Sequence, residues 1–306
     1  MPAVKKIHTV LGAVEPAALG RTLMHEHVFC DIYRVTGRLN ELLNDEALAV
    51  EELAALRAVG GTALVEVTTP DLGRDPLALR RVAEATELHM VMGTGWYRQP
   101  FYPPEIDALS TNELADMIIA ELTDGVAGSG VRAGIIGEIG MNLDYATAQE
   151  ERVLRAAARA QKATGAPITT HASMYPVGLV QLEILKDEGV DLSRVIIGHC
   201  DTCLDQSYHL AILESGAYVQ FDTVGRKHMN PDSRRASAFA ELVRLGWTEK
   251  LLLSSDRCHR SDLCAFGGVG YGYVFTTFFD MLRTEGIDNE TLDTISIENP
   301  RRALAW

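Results

Sequence analysis

The sequence predicts a single (β/α)8 barrel, also called a TIM barrel, as one domain over residues 1–306. Short runs rich in Val and Ile alternate with longer amphipathic stretches, which is the pattern of a parallel sheet covered by helices. This alternation repeats eight times along the chain. No linker or low-complexity segment interrupts it, and barrels of this size are common as single domains.

The eight predicted strands follow in order. The first contains Met24-His25-Glu26-His27-Val28-Phe29, and the others cover 62–67, 90–93, 134–138, 167–171, 194–199, 217–222 and 250–256. The predicted helices between them cover 45–59, 76–85, 110–122, 147–164, a segment through Leu185, 234–245 and a closing helix from about Tyr273. Ser110 and Glu113 have the spacing of a capping box, which predicts a helix start at that point.

Composition excludes several classes of protein. The formal net charge of −14 is unsuited to nucleic acid or to an anionic membrane surface. No apolar run reaches the roughly 18 residues of a membrane span. Glu15 and Pro16 interrupt any secretory signal, so we expect a cytoplasmic protein. Five cysteines, an odd number, argue against a disulfide framework, and Cys200 and Cys203 are expected to be reduced thiols.

Residues of metal-ligand type stand at the ends of the predicted strands. His25 and His27 are two apart on strand one, so their side chains should share one face. The carboxyl ends of barrel strands converge on the active-site face. Six ligands there are too many for one structural zinc and suit two hydrolytic metals about 3.5–4 Å apart. The predicted cofactor is two divalent ions, zinc first and manganese or cobalt as alternatives. The six residues are His25, His27, Glu138, His171, His199 and Asp256.

Nearly the whole chain resembles the phosphotriesterase family of the amidohydrolase superfamily. The segments that carry the resemblance are 25–29, 137–140, 170–172, 197–201, 254–256, 267–272 and 298–300. It implies that His25, His27 and Asp256 hold the more buried metal. His171 and His199 would hold the more exposed metal, and Glu138 would bridge the two together with a hydroxide. The resemblance also suggests a homodimer.

The strand-four bridge departs from the best-known family members. Organophosphate-hydrolysing enzymes have a carboxylated lysine there, whereas Glu138 resembles the phosphotriesterase homology branch, some of whose members hydrolyse lactones or carboxylic esters. We therefore predict a small-molecule hydrolase acting on a lactone, an ester or an N-acyl compound. Phosphotriester hydrolysis, a mononuclear amidohydrolase such as a deaminase, and a catalytically silent binding protein remain alternatives.

Further residues are candidates for catalysis and substrate binding. Asp256 can accept the proton of the nucleophile and pass it to the leaving group. Tyr97, just past strand three, could reach the substrate carbonyl or simply pack in its loop, and its neighbour Trp96 is a candidate for substrate contact. Arg226 and Arg260, after strands seven and eight, could bind an anionic tail of the substrate.

Nearby charges and glycines are interpreted as features of the loops. Lys227 and Arg257, close to the two candidate anion ligands in the sequence, are expected to be solvated loop charges. The glycine-rich segment 267–272 does not have the spacing of a dinucleotide-binding loop, and we interpret it as a flexible turn over the barrel mouth.

Overall fold

The computed structural model describes residues 5–141, 143–226 and 228–306, and it contains the predicted eight-stranded parallel sheet. Each barrel strand pairs with the next one in the sequence, and we number these strands β1 to β8. Their bounds are Arg21–Glu26, Gly61–Glu66, His89–Thr94, Ile135–Gly140, Ile168–His171, Val195–Ile197, Tyr218–Phe221 and Leu251–Leu253.

Hydrogen bonds between β1 and the end of β8 bring the two edges of this sheet together. The N–H of His25 donates to Ser254 Oγ at 2.8 Å, and the N–H of Asp256 donates to the carbonyl of His25 at 3.1 Å. The buried carboxylate of Glu26 accepts from the hydroxyls of Ser254 and Ser255, each at 2.7 Å. The sheet is thus nearly closed into a TIM barrel, as predicted.

Helices follow the strands and cover the outside of the sheet. Side-chain caps begin several of them: Asp45 and Asp75 accept from main-chain N–H groups, and Ser110 with Glu113 forms the predicted capping box. The main helices are Glu46–Ala58, Pro76–Thr86, Thr111–Thr123, Ala148–Thr164, Gly178–Asp187, Gln206–Glu214, Asp232–Arg244 and Phe279–Thr284.

Several elements were not predicted. Short helices at Asn289–Asp293 and Asn299–Leu304 follow the last barrel helix. Two small hairpins pair Ile7–Thr9 with Gly12–Val14 and Cys30–Asp31 with Leu42–Leu43. Strands of two or three residues are too short to show a period-two pattern. The nine-residue helix Gln206–Glu214 was also missed, because it is too short to present a long amphipathic stretch.

Five strands end earlier than predicted, and at three of them this affects where the ligands lie. His27 follows the last residue of β1, while His199 and Asp256 lie two and three residues beyond β6 and β8. His199 and Asp256 have φ angles of 54° and 49°. A left-handed backbone cannot continue a strand, so both residues belong to the loops at the barrel mouth.

Apolar side chains fill both faces of the barrel wall. One buried cluster draws Val65, Ile196 and Leu252 from separate strands and fills the barrel interior. A larger cluster contains their neighbours Leu64 and Ile197 and packs the strands against the helices. Neighbouring residues of a strand thus face the interior and the helices in turn, and both environments are apolar. This explains why the strands read as continuous apolar runs. No helix in the described ranges is long and apolar enough to cross a membrane.

Candidate metal centre

The carboxylate of Glu138 lies between four imidazoles at the mouth of the barrel. Its Oε1 is 3.3 Å from Nε2 of His27. Its Oε2 is 3.5 Å from Nε2 of His25, 3.1 Å from Nδ1 of His171 and 3.5 Å from Nε2 of His199. One carboxylate therefore contacts the residues of both predicted ligand sets.

Asp256 completes the cluster and is held by an arginine. Its Oδ1 is 3.3 Å from Nε2 of His27 and 3.9 Å from Nε2 of His25. Its Oδ2 is 2.9 Å from Nη1 of Arg226, whose Nη2 also donates to the Asp256 carbonyl. Burial raises the pKa of Asp256, but the Arg226 guanidinium leads the groups that hold this pKa well below its usual range. Asp256 is therefore an anion that presents one oxygen to the histidines.

These donors fit divalent metal ions. His25, His27 and Asp256 each offer a ligand atom within 4.8 Å of the others, and so do His25, Glu138 and His199. Nε2 of His25 is buried without a hydrogen-bond partner, which is costly unless a ligand satisfies it. Imidazole nitrogen and carboxylate oxygen are the donors that hydrolytic zinc sites use.

The protonation states of Glu138 and His171 suit metal binding, whereas neighbouring acidic groups raise the pKa values of His27 and His199 despite their burial, so these two imidazoles would release a proton when a metal binds. Burial raises the pKa of Glu138, but the neighbouring imidazoles, first of all His25, hold it well below the ordinary value. Burial and the nearby His199 lower the pKa of His171 to about 4. At neutral pH Glu138 is an anion and His171 a neutral base, and these are the forms that bind metal.

Asp222, one residue beyond β7, orients two of the histidines. Its Oδ1 is 2.7 Å from Nδ1 of His199 and its Oδ2 is 3.3 Å from Nδ1 of His25, so the Nε2 atoms of both rings face Glu138. The hydroxyl of Thr68 holds Nδ1 of His27 in the same way at 2.8 Å. Such partners fix the tautomer and direction of a ligand. The sequence analysis placed Asp222 at a strand end without assigning it a role. That position was the signal that could have identified it as a residue of the site.

Tyr97 reaches this centre from the loop after β3. Its hydroxyl is 3.4 Å from Nδ1 of His171, and the side chain is buried. Its N–H donates to the carboxylate of Asp71 at 3.0 Å, and its carbonyl accepts from the N–H of Gly140 at 2.5 Å. A Cβ at position 140 would lie 2.8 Å from that carbonyl oxygen, so this close approach requires glycine.

A cavity of about 360 Å³ opens onto the metal ligands. Its size suits a small organic molecule. The lining combines the predicted ligands His27, Glu138, His171, His199 and Asp256 with apolar and cationic side chains from several loops. These other residues include Ile32, Arg38, Leu72, Tyr97, Arg98, Met141, Met174, Tyr175, Arg226, Met229 and His259.

The structure separates the predicted substrate-binding residues. Arg226 lines the cavity, but Asp256 and Asp262 already pair with its guanidinium. Arg260 lines a different, smaller pocket, where its Nε donates to the carbonyl of Leu42 at 2.9 Å. Trp96 is buried and is not among the described residues that line the cavity. The loops, rather than the strands, decide these placements.

The expectation of a solvated charge at position 257 is wrong. Arg257 is buried, and its guanidinium donates to the carbonyls of Gly270 and Val224 at 3.2 and 2.8 Å. It therefore ties the glycine-rich segment and the loop after β7 to the end of β8. Lys227 lies outside the described residues.

A third group of possible ligands, formed by Cys258, His259 and Asp262, already contains a cation. Nη2 of Arg226 is 2.9 Å from Sγ of Cys258, 3.4 Å from Nδ1 of His259 and 3.3 Å from Oδ2 of Asp262. A metal ion among these atoms would lie against the guanidinium and be repelled by it. This group holds Arg226 in place rather than a metal.

A barrel with these donors at the carboxyl ends of its strands has the construction of a metal-dependent hydrolase. Comparison with known proteins agrees, because residues 5–304 match the family model described as the phosphotriesterase family. The chain belongs to the phosphotriesterase family.

Relatives of the chain include several hydrolases. A phosphotriesterase homology protein of Escherichia coli strain K12 is 38% identical over 281 residues, which cover 92% of this chain and 96% of that protein. The N-acetyltaurine hydrolase of Homo sapiens is 33% identical over an alignment of 345 residues, which covers 98% of this chain and 98% of that protein. The crystal structure of a lactonase from Listeria monocytogenes matches with a TM-score of 0.92 at 28% identity, over 98% of both chains. This chain is thus a metal-dependent hydrolase.

Proposed function

We propose that the chain forms one domain that hydrolyses a small carbonyl compound, a lactone, a carboxylic ester or an N-acyl compound, with two divalent metal ions. One observation carries the binuclear part of the proposal. Oε1 of Glu138 contacts His27, and its Oε2 contacts His25, His171 and His199, all within 3.5 Å. A carboxylate in this position suits a bridge between two ions.

The residues would divide into two sets around this bridge. His25, His27 and Asp256 would hold the more buried ion, and His171 and His199 the more exposed one. Zinc fits the donors best, and manganese or cobalt would be accepted by the same atoms. The ions, when bound, would supply an activated water and a Lewis acid for the substrate carbonyl.

The chain's own groups supply proton transfer and orientation. Asp256 presents an ionised oxygen beside the histidines, where it can take a proton from the attacking water and deliver it to the leaving group. Arg226 holds the other oxygen, and we propose that it positions Asp256 rather than binding an anionic substrate group. The Tyr97 hydroxyl lies close enough to His171 to donate a hydrogen bond to a carbonyl bound there.

Two observations favour a carbonyl over a phosphotriester. The residue at the proposed bridge is Glu138 rather than a carboxylated lysine, as in the branch some of whose members hydrolyse lactones or carboxylic esters. The relatives named above include an N-acetyltaurine hydrolase and a lactonase, so amide and ester chemistry both occur on this scaffold.

Metal analysis combined with a substrate panel tests the proposal. Protein loaded with zinc or manganese should contain about two ions per chain. The panel would contain γ-lactones, aryl esters, N-acetyl amines, a paraoxon-type triester and an aminopurine for deaminase activity. We expect the highest kcat/KM for a carbonyl substrate. An active preparation with one ion would contradict the binuclear site, and a triester preferred at least tenfold would contradict the carbonyl assignment.

A further inference from the structure

Left-handed backbone at residues other than glycine is concentrated at the barrel mouth. In the described part of the chain, four residues other than glycine have a positive φ: Glu87, Met174, His199 and Asp256. Glu87 is the C-cap of a helix, where this conformation is common. His199 and Asp256 belong to the metal centre. Met174, at φ 69°, has neither explanation.

The strained backbone at Met174 is fixed to the metal centre. The N–H of Met174 donates to Oγ1 of Thr202 at 2.7 Å, and that hydroxyl donates to the carbonyl of His199 at 2.8 Å. The carbonyl of Thr202 accepts from the side-chain amide of Asn230 at 3.3 Å. Loops after β5, β6 and β7 therefore hold Met174 in one place relative to a predicted ligand.

Burial does not offset this strain. The Met174 side chain lines the cavity but is 58% exposed, and the adjacent Tyr175 is 48% exposed. Met141 and Met229 line the same cavity. An apolar side chain that is exposed to water contributes no burial energy to offset the strain of its backbone. That energy is gained only when an apolar group covers the side chain. Strain of this kind is typical of residues that contact ligands.

We propose that Met174 and Tyr175 form an apolar subsite for a chain attached to the scissile carbonyl, so that the enzyme prefers medium-chain acyl groups to acetyl. The inference rests on the proposed function only in placing that carbonyl at the metal centre. Thioether side chains are flexible and polarizable, so they adapt to alkyl chains of different length. Met174 is then a specificity-determining residue that contacts the substrate beyond the reacting atoms.

Carboxylate binding tests this subsite without requiring turnover. Calorimetry would measure the Kd of acetate and octanoate for zinc-loaded wild type, Met174→Gly, Met174→Leu and Glu87→Gly. Octanoate should bind wild type at least about tenfold more tightly than acetate, because its chain buries apolar surface. Met174→Gly should weaken octanoate binding about 5- to 10-fold and leave acetate unchanged, while Met174→Leu restores the wild-type preference.

Glu87→Gly is the matched control, because it removes the side chain of another residue with left-handed backbone that does not line the cavity. Both Kd values should stay at the wild-type level in this variant. Two results would overturn the inference: octanoate no tighter than acetate in the wild type, or a full preference for octanoate in Met174→Gly. Failure of the carbonyl-hydrolase proposal would appear elsewhere, as inactivity on the lactone and ester panel with the binding preference intact.

Discussion

The metal ligands and the cationic residues of the rim differ in how their positions are determined. The ligands lie in the last residues of the strands or within three residues beyond them, and they converge within a few ångströms of Glu138. The three arginines after β7 and β8 diverge instead. Arg226 pairs with Asp256, Arg257 donates to main-chain carbonyls and Arg260 points into another pocket. Strand geometry fixes where a side chain points when it lies on a strand or within three residues of its end, whereas a residue further along goes where its loop carries it.

The largest expected effect comes from Glu138→Gln, which keeps the shape of the side chain and removes the bridging charge. Metal content should fall from about two ions per chain to one or fewer, because the ions would lose their shared carboxylate. Loss of several kcal/mol of transition-state stabilisation should lower kcat/KM by at least about 10³-fold. Elemental analysis and steady-state kinetics on the same preparation would measure both.

Glu52→Gln is the control for changing a buried glutamate. Glu52 is 3% exposed against 2% for Glu138, and its carboxylate accepts from the N–H groups of Cys264 and Ala265 at 3.0 and 2.8 Å. It lies away from the ligands, so metal content should stay at the wild-type level. A Glu138→Gln protein with two ions and nearly normal activity would show that the centre does not depend on this bridge.

Arg226→Met tests the rim residue that contacts the metal centre. Without the guanidinium Asp256 loses its orienting partner, and kcat should fall about 10²-fold with a smaller change in KM. The pKa of Asp256 should rise, because Arg226 leads the groups that lower it. The acidic limb of the kcat/KM profile, where this carboxylate becomes protonated, should therefore move to higher pH. Arg226→Lys should restore part of kcat; a pure rise in KM for anionic substrates would instead make Arg226 a substrate anchor.

The sequence predicted the barrel and the family because both depend on features that are local and repeated. Alternating apolar runs set the strands and helices, and strand-end histidines and carboxylates set the ligand types. What the sequence could not supply was contact between distant loops. Arg257 was taken for a solvated charge because neither of its carbonyl partners, at Gly270 and Val224, is visible in a linear pattern. Asp222 was left without a role for the same reason.

Asp222→Asn tests how far the centre depends on groups behind the ligands. An amide cannot replace the carboxylate at Nδ1 of both His199 and His25, so the rings would be less well oriented and less basic. Zinc affinity should fall about 10- to 100-fold, measured by competition with a chelator. At saturating zinc, kcat should recover to within a few fold of wild type. Asp71 is another buried aspartate, but no ligand histidine is among its partners, so Asp71→Asn should keep the wild-type affinity for zinc. Equal losses of zinc affinity in both variants would mean general destabilisation.

The smallest expected effect comes from Arg260→Met, at the residue that the sequence proposed as an anion anchor. Arg260 donates to the Leu42 carbonyl beside a pocket of about 100 Å³ that is separate from the metal cavity. The substitution removes one partly buried hydrogen bond and should lower the free energy of unfolding by about 0.5–1.5 kcal/mol. Because Arg260 does not line the cavity at the metal centre, kcat and KM should stay within about twofold of wild type for anionic and neutral substrates alike. A tenfold rise in KM confined to the anionic substrate would mean that the loop carries Arg260 into the cavity when substrate binds, and that the separation between the two regions holds only for the free enzyme.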